Sequence, residues 1–135
     1  MKRERWILLG MLVLIGAGVL FGMNLGTRPF ASLDAAQVVS ASVRLSPPDE
    51  TMELDRAQIE KMVELLRQVR IYNPDQSYTD YVGQGTFFRL ELSDGTVRTA
   101  MAYNPFLVLD QVGYRTAYEP CQALNAFANR LLRGE

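Results

Sequence analysis

The stretch YNPDQSYTDYVGQG, hereafter the tyrosine loop, places two carboxylates among three tyrosines. Asp75 and Asp80 could act as a catalytic pair, with one acid and one base or nucleophile, as in glycosidases. Tyr72, Tyr78 and Tyr81 offer large rings with a polar tip, which suit a protein interface or a sugar ring. Connections of this length are uncommon in compact domains unless they are functional or mobile. We predict these five residues as a binding site; the alternative is that the tyrosines only cover a helix end or a sheet edge.

Composition argues against several other chemistries. The 135-residue chain has no histidine, the commonest general base and transition-metal ligand. Its one cysteine, Cys121, can form neither an intrachain disulfide nor a zinc site, and we predict it as a half-buried residue in the first turn of a helix. Serine catalysis would need a lysine as base, but Lys61 is predicted to be exposed on a helix. We therefore assign no catalytic residue.

Metal and phosphate motifs fail at their defining positions. From Asn73 onward, oxygen-bearing residues alternate as in a calcium loop, but the sixth position is Tyr78 instead of glycine and the twelfth is Gln84 instead of glutamate. The GQG triplet lacks the further glycine and the lysine of a phosphate loop. The net charge is −1, which gives no electrostatic case for nucleic acid. We expect no metal, no cofactor and no nucleic-acid partner.

The N-terminal segment predicts a membrane anchor. Lys2, Arg3 and Arg5 precede an uncharged run from Trp6 to Met23. As a helix this run would extend roughly 27 Å, close to the hydrocarbon thickness of a bilayer. It is longer than the apolar core of a cleaved secretory signal, and no convincing A-x-A site follows. The alternative is a cleaved signal, which would leave a secreted domain.

Flanking charges orient the predicted anchor. The excess of basic residues before the run places the N-terminus in the cytoplasm and the rest of this single-pass protein outside the cell membrane. Gly18, Gly22 and Gly26 recur every fourth residue and predict a stripe for close packing against another membrane helix. The predicted parts are a cytoplasmic basic stub (1–5), a transmembrane helix or signal anchor (6–24), a linker (25–36) and an extracytoplasmic domain (37–135).

Alternation of apolar and polar residues predicts the strands of the outer domain. In the first strand, Val39, Ala41, Val43 and Leu45 should point to one side. The segments TMEL, TFFRLEL, TVRTAMAY, FLVL and YRTAY follow, with a further short strand at RIYN. The turn signals SPPDE, SDG, NP and DQVG connect neighbours at short range, so we expect antiparallel pairing.

Two segments have a helical period. One follows Asp55, which forms a capping-box pattern with Gln58, and the other opens at Glu119 and Pro120, because proline suits the first helical position. The predicted fold is α+β: an antiparallel sheet, built as a meander of hairpins, with two amphipathic helices packed on one face and one N-terminal transmembrane helix before it. The other face should be polar and face solvent, and its predicted residues are Arg89, Glu91, Thr96 and Arg98.

The helix pattern IEKMVELL, followed by FFRLELSDG and YNPFLVLDQVGYR, resembles a recurrent class of small, mostly uncharacterised extracytoplasmic domains of Gram-positive bacteria. Members of that class follow a lipoprotein signal or a membrane anchor. The resemblance covers about residues 36–133 and implies a place in the cell envelope, but no activity. This chain lacks a cysteine after its apolar run, which excludes a lipoprotein signal.

These patterns predict a non-catalytic, membrane-anchored extracytoplasmic binding or interaction domain. Its partners would be the lipid bilayer and a protein or cell-wall component, bound through the tyrosine loop or the open sheet face. One alternative is a small cell-envelope hydrolase that uses Asp75 and Asp80 as its carboxylate pair. Another is an accessory or sensory subunit that associates through its membrane helix.

Overall fold

In the computed structural model, which describes residues 25–135, seven strands and two helices follow the predicted order. They are β1 (Val38–Ser46), β2 (Glu50–Glu53), α1 (Arg56–Leu66), β3 (Ile71–Pro74), β4 (Gly85–Leu92), β5 (Val97–Tyr103), β6 (Phe106–Leu109), β7 (Val112–Thr116) and α2 (Tyr118–Leu132). The α+β class and the short strand at RIYN are confirmed. The predicted stub and membrane helix, with Gly18 and Gly22, lie outside the described residues. Neither helix between residues 25 and 135 is long and apolar enough to cross a membrane.

All seven strands form one antiparallel sheet in the order β2-β1-β4-β5-β6-β7-β3. Strands β4 to β7 are a meander, as short turns require. The first of these turns contains Gly95, whose φ of 88° suits glycine, and Asp94, whose carboxylate accepts a hydrogen bond from the Thr96 amide. The β1–β2 hairpin extends one end of the sheet, and β3 crosses to the other end beside β7.

One face of the sheet, the helix face, packs against both helices. Its inward residues and the apolar stripes of α1 and α2 join in a single core. The buried apolar sheet residues of this core are Val38, Ala41, Val43, Leu45, Phe88, Leu90, Ala100, Ala102 and Leu107, and the buried helix residues are Ile59, Met62, Val63, Leu66, Cys121, Leu124, Phe127 and Ala128. Neither α1 nor α2 packs on the opposite side, the open face.

Both helices begin close to the predicted positions. The Asp55 carboxylate accepts from the Gln58 amide at 2.8 Å, and the Gln58 side chain accepts from the Asp55 amide at 2.9 Å, so the capping box is confirmed. Helix α2 begins at Tyr118, which makes Pro120 its third residue instead of its first. Proline fits there equally well, because the first-turn amides have no intrahelical acceptor.

The segment predicted as a linker packs onto the domain. Phe30 and Leu33 are 1% and 4% exposed and belong to the core. Thr27 forms a β-bridge with Ile71, with N···O distances of 2.9 and 2.8 Å. The sequence pattern missed these contacts because a few isolated apolar residues among prolines and small side chains have no period. The packed domain therefore starts near residue 25.

The predicted glycine stripe does not continue through Gly26 as a helix. Gly26 lies next to the bridge with φ 71°, a left-handed conformation that favours glycine. A Cβ atom there would lie 2.6 Å from the Ile71 carbonyl oxygen and 2.7 Å from the Tyr72 ring. This glycine is explained by close approach to β3.

Val39 on β1 and Arg98 on β5 lie on the other side of the sheet from their predicted positions. Val39 is 62% exposed, because the pairing of β1 with β4 shifts register between Val38 and Ser40 and buries Val38 in its place. Arg98 lies on the helix face, where its guanidinium stands 4.4 Å from the centre of the Phe30 ring. Phe30 arrives from the N-terminal segment, which the strand pattern alone could not anticipate.

Candidate functional site

The tyrosine loop, residues 72–85, folds back over the open face. It begins within β3, continues as a 3₁₀ turn at Gln76–Asp80 and ends at β4. The Asp75 carboxylate caps this turn by accepting from the Ser77 amide at 2.9 Å, and the Asp75 amide donates to the Gly113 carbonyl at 2.7 Å. The loop is thus held by backbone pairing to β7 and is largely regular in structure.

Two of the predicted tyrosines cover a buried aromatic residue. Phe106 lies on the open face yet has no exposed surface, and its ring centre is 6.3 Å from that of Tyr78 and 5.4 Å from that of Tyr81. Gly113 makes this possible, because a Cβ atom there would lie 2.5 Å from the Tyr78 ring and 2.6 Å from the Asp75 carbonyl oxygen. Tyr78 and Tyr81 therefore pack on β6, an interior strand, instead of covering a helix end or a sheet edge.

The two loop carboxylates have different surroundings. Asp75 forms an ion pair with Arg115, with an N···O distance of 2.9 Å, whereas Asp80 is exposed at the far end of the turn. Hydrogen bonds from Ser77, and then from Arg115, hold the pKa of Asp75 below its ordinary value. A general acid requires the opposite shift, toward neutrality. Asp75 is consequently suited to holding the loop on β7.

A groove of about 760 Å³ crosses the open face beside the loop. Phe87, Met101 and Val108 are half-buried along it on β4, β5 and β6. We call this feature the open-face groove; its lining residues are Ser42, Arg44, Thr51, Tyr78, Phe87, Phe88, Arg89, Thr99, Ala100, Met101, Val108, Asp110 and Gln111. Its volume lies within the usual range for small-ligand sites, about 300–1,000 Å³.

Two arginines border the groove toward β1. The Arg44 guanidinium lies 4.3 Å from the centre of the Phe87 ring and pairs with Asp49 at 3.0 Å. Arg89 pairs with Glu91 at 2.7 Å, and hydrogen bonds from Arg89, then Ser40, lower the pKa of that carboxyl group. Both ion pairs are solvent-exposed and contribute little to stability. Each guanidinium can therefore exchange its partner for another carboxylate at small cost.

A smaller cavity of about 230 Å³ lies on the other side of the loop, between Tyr81 and α2. The Gln84 side-chain oxygen accepts from the side-chain amides of Asn125 and Asn129, both at 2.9 Å, which ties the end of the loop to α2. The only sequence signal for this network is the i, i+4 spacing of two asparagines on one helix face. These three neutral side chains hydrogen-bond to one another and hold the end of the loop on α2.

The remaining sequence candidates are not arranged for chemistry. Cys121 lies in the first turn of α2 as predicted, but it is fully buried, and burial raises the pKa of its thiol to about 12. Lys61 is exposed and lies 3.5 Å from Glu64. Within residues 25–135, no three Cys, Asp or Glu side chains are grouped so that they could hold a metal ion.

The five predicted loop residues do not converge on one site. Tyr78 borders the open-face groove and Tyr81 borders the smaller cavity. Asp75 is paired with Arg115, Asp80 is exposed, and Tyr72 lies against Gly26 at the sheet edge. The loop is a wall between two cavities. The larger one is lined mostly by strand residues, and of these Arg89 was predicted on the open face without being assigned to a site.

No family model matches the chain, and comparison with curated proteins and with solved structures finds no match.

Proposed function

We propose that this protein is a membrane-anchored extracytoplasmic domain that binds a ligand without catalysis, and that the ligand occupies the open-face groove. The observation that carries the proposal is a concave, partly apolar surface of about 760 Å³ on a sheet face that neither described helix covers. An apolar floor with a few polar groups at its edge is typical of binding sites. The anchor and the outward location rest on the apolar run at Trp6–Met23 and on the resemblance to Gram-positive envelope domains.

The groove favours an amphipathic ligand that carries an acidic group. The half-buried side chains of Phe87, Met101 and Val108 offer apolar contact area. Arg44 and Arg89 offer guanidinium groups that bind carboxylates in a bidentate fashion. Their present partners are exposed carboxylates of this chain, which an incoming carboxylate can replace. An acidic peptide segment of an envelope protein fits this chemistry.

The hydrolase alternative finds less support. The general acid of a carboxylate pair needs a raised pKa, a role that Asp75 does not suit because hydrogen bonds from Ser77 and Arg115 lower its pKa. The ion pair with Arg115 also occupies the carboxylate that a base or nucleophile would use. We therefore keep Asp75 in a structural role and assign no reaction to Asp80.

Site-specific photocrosslinking of the full-length protein in its membrane tests the proposal. A benzoylphenylalanine at Thr99, an exposed groove residue on β5, should give an adduct with a distinct partner. The same group at Glu60, which is exposed on α1 away from the groove, is the matched control. We expect at least a several-fold excess of the adduct from position 99.

Charge reversal then tests the predicted ligand chemistry. Arg89→Glu in the position-99 variant should reduce the adduct several-fold, because it turns attraction for an acidic group into repulsion. An unchanged adduct would refute the acidic ligand. Equal adducts from positions 99 and 60, or none from position 99, would overturn the groove as the binding site.

A further inference from the structure

Several large apolar or aromatic side chains are exposed around the point where the chain enters the domain. The most exposed is Val82, which is completely accessible, and Tyr118 is 63% exposed. We call this surface the tether edge; its residues are Leu25, Tyr72, Tyr81, Val82 and Tyr118. Exposed apolar groups that cluster at one place are a mark of an interaction surface.

Contacts within the domain connect the first part of the tether edge. Arg70 is central, because its guanidinium donates to the Leu25 carbonyl oxygen at 3.2 Å and its own carbonyl accepts from the Ala117 amide at 3.3 Å. Arg70 thereby connects the incoming chain at Leu25 to Ala117, the residue before Tyr118. Gly26 in turn lies against the Tyr72 ring. These contacts fix the incoming chain beside β3 and the start of α2.

The remaining residues of the tether edge are connected through the smaller cavity. The Asn104 side-chain amide donates to the Tyr118 carbonyl oxygen at 3.2 Å. Asn104 lines that cavity together with Tyr81 and Val82, so the tip of the tyrosine loop is close to the start of α2. The tether edge therefore extends from the incoming chain to the loop tip.

The spacing between the apolar run and the packed domain is very short. Only Asn24 separates Met23, the last residue of the run, from Leu25. Two chain steps reach at most about 7 Å. The headgroup layer on each side of the hydrocarbon is about 5–8 Å thick. If the run spans a bilayer, Leu25 must therefore lie in or directly above the headgroups.

The chemistry of the tether edge suits that layer. Tyrosine is enriched at membrane interfaces because its ring prefers the apolar side and its hydroxyl prefers water. Val82 and Leu25 add apolar surface that can enter the boundary of the acyl chains. Arg28 and Arg70 flank the incoming chain, and their positive charges favour anionic headgroups.

From these observations we propose that the tether edge docks on the lipid bilayer and holds the domain in one orientation on the membrane surface. This inference rests on the membrane anchor of the proposed function. It adds to that function that the domain is docked on the bilayer and not only tethered to it. The tyrosine loop then connects two tasks: its tip meets lipid, while Tyr78 borders the open-face groove.

Depth measurements on the full-length protein in nanodiscs of phosphatidylglycerol and phosphatidylcholine test the docking. A cysteine replaces Val82 in one variant and Val97 in the other, and each is labelled with the fluorophore NBD. Val97 is the matched control, an exposed valine at the end of β5 away from Tyr103 and the small cavity. The native Cys121 is fully buried and does not compete for label.

We expect nitroxide-labelled lipids to quench the fluorophore at position 82 at least threefold more than at position 97. A labelled Tyr118→Cys variant should be quenched as strongly as Val82→Cys. This second site shows that the quenching is not caused by a local change at position 82. Equal quenching at positions 82, 118 and 97 would overturn the docking. A crosslink from position 82 to a second copy or another protein, in place of lipid quenching, would also overturn it.

Liposome flotation separates this inference from the proposed anchor. A full-length chain that fails to float with liposomes in high salt refutes the anchor itself. If the full-length chain floats but the fluorophores at positions 82 and 118 are not quenched, the protein is anchored without docking. That outcome refutes the docking and leaves the anchor in place.

Discussion

The two faces of the sheet are built from the same strands but are covered differently. On β4, Phe88 faces the helices and is 1% exposed, while its neighbour Phe87 faces the open-face groove and is half-buried. On β5, Ala100 and Ala102 face the helices, while Met101 lies beside the groove. Alternation along a strand directs neighbours to opposite sides. The helix face therefore supplies stability, and the open face leaves part of its apolar surface uncovered.

The open face is itself divided into two parts. Over β6 and β7, the tyrosine loop buries Phe106 beneath Tyr78 and Tyr81. Over β1, β4 and β5, the apolar floor stays accessible and is flanked by the exposed side chains of Arg44 and Arg89. A loop that is fixed by Asp75 and Gly113 sets the boundary between these parts. The shape of the groove therefore depends on how firmly this loop is held.

The largest difference between the faces is expected for the two neighbouring phenylalanines. Phe88→Ala should destabilise the domain by about 3–5 kcal/mol, because it leaves a cavity in the core. Phe87→Ala should cost only about 1 kcal/mol, chiefly the lost contact with Arg44. Chemical denaturation of both variants measures the difference. Similar losses for both would contradict the assignment of one closed and one open face.

A smaller effect is expected where the loop meets the sheet. Gly113→Ala should destabilise by about 1–3 kcal/mol, because the added methyl group collides with Tyr78 and the Asp75 backbone. Gly83→Ala in the same loop is the control, since its nearest neighbour would be the Tyr103 hydroxyl at an ordinary 3.4 Å. Thermal unfolding compares the two variants. If neither substitution changes the melting temperature, the packing of the loop does not require glycine at position 113.

The smallest effect concerns the charge that holds the loop. The lowered pKa of Asp75 means that its ion pair and hydrogen bonds stabilise the fold above the ordinary aspartate pKa, near pH 4. This contribution is lost as the pH falls through the lowered pKa of the folded state. Asp75→Asn should therefore lower the melting temperature slightly at pH 7, and the difference from wild type should vanish in acid.

Melting temperatures of the wild type and the variant between pH 2 and pH 7 measure this trend. Asp80→Asn, which removes an exposed carboxylate from the same loop, is the control for the loss of one negative charge. A difference between wild type and Asp75→Asn that persists undiminished at pH 2 would exclude the charge as its cause.

Local patterns were sufficient for the elements of the fold. The alternation in β4, the capping box at Asp55 and the glycine turn before β5 each depend on neighbours a few residues apart, and each is confirmed. Binary patterning and capping act within one or two turns of chain, so a sequence can specify them directly.

The candidate site depended on contacts between distant residues. Val39 was expected inside, but a register shift between β1 and β4 turns it outward. Arg98 was expected on the open face, but it meets Phe30 from the N-terminal segment. The loop tyrosines were expected to form one site, but Phe106 and Gly113 divide them between packing and two cavities. No spacing within the loop encodes partners that lie about 30 residues away.

What the sequence by itself determined about this protein is its α+β class, the succession of its strands and helices, and the lack of histidine and paired cysteines. Only the tertiary structure decided that residues 25–36 pack on the domain, that the tyrosine loop divides the open face, and that a groove remains beside it. The physical reason is that secondary structure follows from the local period of apolar side chains, whereas a cavity is the space left after distant segments have packed.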